Sequence, residues 1–149
     1  HSQSGRLCGC GQRGCIEAYA SATGVARTAK EIITSTTQTT LLRQVADIDN
    51  ITSKDVYDAA EQGDIVAKEI FDYTGRLLGQ KLADYVHFSS PEAIILFGGL
   101  TKAGHWIMDP IRAAMEENLM PIWKGKIPVS ISVLKDSDAA ILGASSLAW

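Results

Sequence analysis

All three cysteines of the 149-residue chain fall within eight positions, Cys8, Cys10 and Cys15, in the pattern C-x-C-x4-C with glycines at 9, 11 and 14. An odd number of thiols crowded into one loop cannot form an internal disulfide framework, and such crowding favours a metal or redox site in a reducing compartment. Zinc takes about four soft ligands in a tetrahedron, and glycines let the backbone curl until three sulfurs face one point. The fourth ligand is open: His1 is the nearest histidine, while His87 and His105 are remote in sequence. A structural Cys3His zinc site is the favoured reading. Reduced thiols in a flexible loop are the plain alternative, and a redox role is weaker because the spacing is not C-x-x-C.

Glu17 follows the last cysteine by two residues, at the expected start of a helix. A carboxylate there is favoured by unpaired amide donors and can accept bonds from neutral hydroxyls. The alternative is an ordinary first-turn glutamate.

Past this loop the chain is that of an ordinary globular domain. The apolar fraction is 46%, the charged fraction 21%, and the net charge of -3 gives no field that would draw a polyanion, so nucleic acid is not an expected partner of this segment. No run approaches the roughly 20 apolar residues that cross a bilayer, and His1 to Gly5 lacks the features of a secretory signal; a cytoplasmic location without a membrane partner is expected.

Periodicity predicts helical structure from Ile16 to about Ile33, with Gly24 either breaking it or marking a close backbone approach. Thr34 to Thr40 reads as a loop. A short helix opens at Ser53 and ends at Glu61, and a long central one runs from about Ile65 to Phe88. Its apolar face is expected to carry Ala67, Ile70, Phe71, Thr74, Leu77, Leu78, Lys81, Leu82 and Tyr85, and Ser90-Pro91 stops it. Residues 92–97 read as a buried strand, 102–118 as a helix, 127–134 as a strand with Pro128 at its edge or start, and 139–147 as a last helix capped from Asp136 to Asp138. The class is α/β, with few strands for so many helices.

Phe97-Gly98-Gly99-Leu100-Thr101 joins a strand to a helix, the usual ligand position in open α/β folds. Without a P-loop lysine the pair Gly98-Gly99 is also compatible with a simple tight turn. Gly143-Ala144-Ser145 reads as a close packing contact, and Trp106, Trp123 and Trp149 as packing residues rather than a base-stacking platform.

The run Cys8-Gly9-Cys10-Gly11-Gln12-Arg13-Gly14-Cys15-Ile16-Glu17-Ala18-Tyr19-Ala20-Ser21 resembles the cysteine-rich signature of the ROK family of repressors, open reading frames and kinases. Thr74-Gly75-Arg76-Leu77-Leu78-Gly79, Pro91 to Leu100, and Asp138-Ala139-Ala140-Ile141-Leu142-Gly143-Ala144 are similar to that family's later segments, in the same order. The resemblance implies the C-terminal part of a ribonuclease H-like fold of the actin and hexokinase type, with a zinc loop over 1–17 and an α/β domain over 18–149. It implies structural zinc on Cys8, Cys10 and Cys15, sugar hydroxyls on Glu17, and nucleotide against Gly98 and Gly99, although Phe97 stands where the family usually has glycine.

The activity implied is Mg-ATP-dependent phosphorylation of a hexose at its 6-hydroxyl, in a parent protein that forms homo-oligomers. The catalytic aspartate, the phosphate loop and the zinc histidine would lie in a domain upstream of His1, which is itself too close to Cys8 to be that histidine. The chain alone is then expected to be inactive. The alternatives are a sugar-responsive repressor of the same family, with its DNA-binding domain upstream, and a zinc-stabilised interaction module.

Overall fold

The computed structural model describes residues 4–45 and 48–134, together with 138, 141, 142, 145 and 146. Four α-helices carry most of its order: α1 (Ala22–Ser35), α2 (Ser53–Glu61), α3 (Ile65–Ser89) and α4 (His105–Asn118). Two short strands, β1 (Ile94–Leu96) and β2 (Val129–Ile131), pair in parallel with Ile94 opposite Val129.

Helices α1, α2 and α3 each start where a side chain can serve the first free amides. Ser21 accepts from the Gly24 amide at the head of α1, and Asp64 accepts from Ala67 at the head of α3. At α2, which opens at Ser53 and ends at Glu61 as expected, the cap is Thr52. Thr52 accepts from the Asp55 amide while the Asp55 carboxylate accepts from the Thr52 amide and hydroxyl, a reciprocal box. Ser90, in the left-handed region at φ 49°, ends α3 just before Pro91.

The central element is α3, as its length predicts. Along it Ala67, Ile70, Phe71 and Leu82 are buried as expected, but Lys81 and Tyr85 of the anticipated apolar face are exposed. The face is instead completed by Gly75, Gly79, Ala83 and Val86. The reason lies in α4, which crosses α3 at the two glycines. A β-carbon on Gly75 would stand 2.6 Å from the Pro110 ring, and one on Gly79 would stand 2.4 Å from the Ile111 carbonyl oxygen. Bare backbone on α3 therefore lets α4 approach, and Ile107, Met108, Ile111 and Met115 enter the core.

Further expectations change in the structure, among them the strand expected over 127–134, which is only Val129–Ile131. The segment 92–97 is not a buried strand: only Ile94–Leu96 is extended, Ile95 is 65% exposed and Phe97 60% exposed. With two strands among the described residues, one face of the sheet is covered by helices and the other is open. The helical stretch from Ile16 is two elements, a 3-10 turn over Ile16–Ala18 and then α1. Gly24 does not break the helix; it lies where a β-carbon would be 2.3 Å from the Tyr19 carbonyl oxygen, the second of the two roles expected for it. A 3-10 turn over Gly99–Ala103 precedes α4, which starts at His105. Pro128 immediately precedes β2, its carbonyl accepting from the Ile94 amide. The last helix expected over 139–147 falls partly outside the described residues, with 138, 141, 142, 145 and 146 helical; Gly143, Ala144 and Trp149 lie outside them.

Gly79→Ala is expected to destabilise the chain by about 1–3 kcal/mol through overpacking against α4 backbone, read as a lower urea midpoint. Gln80→Ala, one residue on and exposed, is expected to change it by less than about 0.5 kcal/mol.

Candidate functional site

The cysteine loop is a small closed ring of backbone. Leu7 and Arg13 form an isolated antiparallel bridge, the Cys8 amide donates to Gln12 at 2.8 Å, and the Gly14 amide donates to Arg6 at 2.9 Å. Gly11 and Gly14 take φ of 83° and 73°, the left-handed values that such a reversal requires. The consequence is that the sulfurs of Cys8, Cys10 and Cys15 all lie within 4.8 Å of one another, with Cys10 Sγ 3.6 Å from Cys15 Sγ.

Tetrahedral zinc with Zn–S bonds of about 2.3 Å holds its sulfurs about 3.8 Å apart, so the trio needs little contraction to serve one ion. The donor set is soft and suits it. Cys10, held by the Gln12 backbone and then by Cys15 and Cys8, has its thiol below the ordinary value. Cys15 is pushed up to about 11, chiefly by its bond with Cys10 and then by burial. Of the histidines weighed as a fourth ligand, His87 accepts from the Met120 amide at 3.1 Å and His105 packs on Trp106; neither joins the trio. His1 lies outside the described residues.

What fixes the ring to the rest of the chain is Arg6, whose part the sequence reading missed. Its side chain is 9% exposed and donates to the Ala18 and Gly24 carbonyls at 3.1 and 3.3 Å, to Thr28 Oγ1 at 2.9 Å and to Glu31 at 2.5 Å. The guanidinium also lies over the Tyr19 ring, 4.5 Å from its centroid, and the Arg6 amide donates to the Tyr19 hydroxyl. Arg27 adds a bond to the Leu7 carbonyl. Only the chain's distant contacts reveal this role, since Arg6 matches no local pattern.

Glu17 sits in the 3-10 turn after the ring, exposed, with Oε2 accepting from Cys8 Sγ at 3.6 Å. The structure therefore brings the three cysteines and Glu17 into one cluster. Gly98 and Gly99 lie elsewhere, after β1, and Gly98 takes φ 103° with open space where a β-carbon would be. They line a cavity of about 330 Å³ with Ser21, Ala22, Leu96 and Thr101. Gly99 and Leu100 also border a second cavity of about 390 Å³ with Tyr57, Phe71, Lys54 and Lys102.

Ser21 connects the two clusters. Its hydroxyl donates to the Glu17 carbonyl at 2.7 Å, it caps α1, and it lines the cavity at Gly98. A serine three residues before a helical glycine is the signal that would have singled it out.

The ROK family model matches residues 1–149. The chain belongs to the ROK family. It is 35% identical to the glucokinase of Thermotoga maritima over 97% of its own length and 45% of that protein's. Its structure is similar to a ROK family glucokinase from Streptomyces griseus solved in complex with glucose and AMPPNP, with a TM-score of 0.80, 33% identity, and coverage of 98% of this chain and 48% of that one. It is also similar to a ROK family transcriptional regulator, a homolog of the Escherichia coli MLC protein, with a TM-score of 0.78, 25% identity, and coverage of 97% and 35%. The chain thus spans about half the length of the glucokinases it matches, and its structure is similar to the corresponding part of a kinase of that family. Among the described residues no helix is long and apolar enough to cross a membrane.

Arg6→Met is expected to cost on the order of 2 kcal/mol, because carbonyls and Glu31 lose a shared charged donor. Arg6→Lys is expected to recover only part of it, since an ammonium cannot reproduce the planar fork. Denaturant midpoints of the two variants check this; equal stability for all three proteins would show that the anchor is not Arg6.

Proposed function

We propose that the chain is the C-terminal part of a sugar kinase, in which it positions a hexose and ATP for phosphoryl transfer to the sugar's 6-hydroxyl. The observation that carries this reading is the junction at Ser21, which ties the Cys8, Cys10, Cys15 and Glu17 cluster to the cavity at Gly98 and Gly99. Among the similar structures, the identity of 33% to a glucokinase, against 25% to a regulator, supports the kinase over the repressor reading.

Cys8, Cys10 and Cys15 would hold a structural zinc ion, which supplies a rigid centre and takes no part in the chemistry. The ring then fixes the direction of Glu17, whose carboxylate would accept bonds from sugar hydroxyls and so orient the reacting 6-hydroxyl. Orientation is a large effect, because a misplacement of about 1 Å costs on the order of a hundredfold in rate. The open φ 103° turn at Gly98 lets a nucleotide lie against bare backbone, and the amides that follow face its polar edges. The neighbouring cavity, apolar at Phe71 and Leu100 with Lys54 and Lys102 on its rim, suits a base with anionic groups beside it. Magnesium would accompany ATP, and the base that takes the hydroxyl proton would come from the upstream domain of the parent protein, as would zinc's fourth ligand. A cytoplasmic homo-oligomer suits such an enzyme.

A coupled assay tests the reading. The full-length protein should phosphorylate glucose or another hexose, while the 149-residue chain by itself shows none. Glu17→Gln in the full-length protein should raise KM for sugar at least tenfold with KM for ATP and zinc content unchanged. An unchanged sugar KM would remove Glu17 from the site. Operator-DNA binding released by sugar, with no turnover, would establish the repressor instead.

A further inference from the structure

We infer that Cys10 and Cys15 form a modification site: a hydroperoxide converts this pair, and not Cys8, into a disulfide, with release of the metal. Three features of the structure select the pair. The two sulfurs are already 3.6 Å apart. Cys10 is exposed and Cys15 half-buried, whereas Cys8 is buried. The segment between them contains Gly11 and Gly14, both at positive φ, and a β-carbon on Gly11 would meet nothing within 4 Å, so the ring has the freedom to shorten that gap to a bond.

The chemistry closes without another reactant. The Cys10 sulfur attacks the terminal oxygen of the hydroperoxide and keeps it; the O–O bond breaks, and the other oxygen leaves with the thiol proton as water or an alcohol, so that Cys10 becomes a sulfenic acid. The Cys15 sulfur then attacks the Cys10 sulfur, the S–O bond breaks, and the hydroxyl leaves as a second water with the Cys15 proton. Two thiols lose two electrons and two protons; the peroxide bond is reduced. A disulfide sulfur is no longer an anionic donor, so two of the three sulfur ligands are withdrawn at once, and Cys8 with the fourth ligand is too small a set to retain the ion. A dithiol reductant reverses the change by exchange. Metal release rests on the zinc reading above, whereas the choice of pair rests on the thiol geometry alone.

The experiment uses the full-length protein, reduced and freed of reductant, with zinc measured first. Hydrogen peroxide is then added at stoichiometric amounts, free zinc is followed with a chromogenic chelator, and differential alkylation with peptide mapping assigns every cysteine. The expected result is a Cys10–Cys15 disulfide with Cys8 still alkylatable, bound zinc falling from one per chain to none in step with it, and both restored by dithiothreitol. In Cys15→Ser, Cys10 should be trapped as a dimedone adduct and no disulfide should form. A disulfide that includes Cys8, a link between two chains, direct passage to sulfinic acid, or thiols that stay reduced would each overturn the inference. Absence of zinc before oxidation would instead refute the metal reading, and the mapped pair would still decide this one.

Discussion

Two glycines on one face of α3, Gly75 and Gly79, let α4 lie against bare backbone, and the positions of everything downstream follow from that contact. The strand β1 leaves the end of α3, and the Gly98-Gly99 turn leads into α4, so the distance between the helices sets where the turn and its cavities stand. Close approach of this kind gains dispersion contacts over the whole length of the crossing, and a single added methyl forfeits them by forcing the helices apart. The core around Ile70, Phe71, Ile107 and Ile111 is built on that separation.

The cysteine ring is held by a different device. A loop of this length has too little apolar surface to dock by burial, and it is fixed by one guanidinium that serves two main-chain carbonyls, a hydroxyl, a carboxylate and a tyrosine face together. Because the Arg6 partners Ala18, Gly24 and Thr28 span the start of α1, the ring, Glu17 and the cap residue Ser21 move as one body. Rigidity at the three cysteines proposed to hold the metal is thereby shared with the carboxylate proposed to meet the sugar and with the wall of the cavity proposed to meet the nucleotide.

Much of this was legible in the residues. The spacing of Cys8, Cys10 and Cys15 with its glycines announced three sulfurs that converge, and they do; α3 and its stop at Ser90-Pro91 followed from period and proline. What escaped the sequence is set by partners far along the chain. Arg6 has its contacts 12 to 25 residues away, and Gly75 and Gly79 look like weak points in a helix until α4 is placed on them. The run from Glu92 to Phe97 reads as a buried strand because an apolar run carries no information about how many strands will flank it. Glu17 and Gly98-Gly99 could each be read as ordinary features of a helix start and a tight turn; only Ser21, touching both neighbourhoods, gives them a common setting.

The central claim is that a metal held by the three thiolates fixes the carboxylate that orients the sugar. Calorimetric titration of glucose into the full-length protein, zinc-loaded and then stripped under reducing conditions, tests it most directly. The account predicts that stripping weakens sugar binding at least tenfold while binding of an ATP analogue is retained. Equal sugar affinity with and without the ion would contradict it.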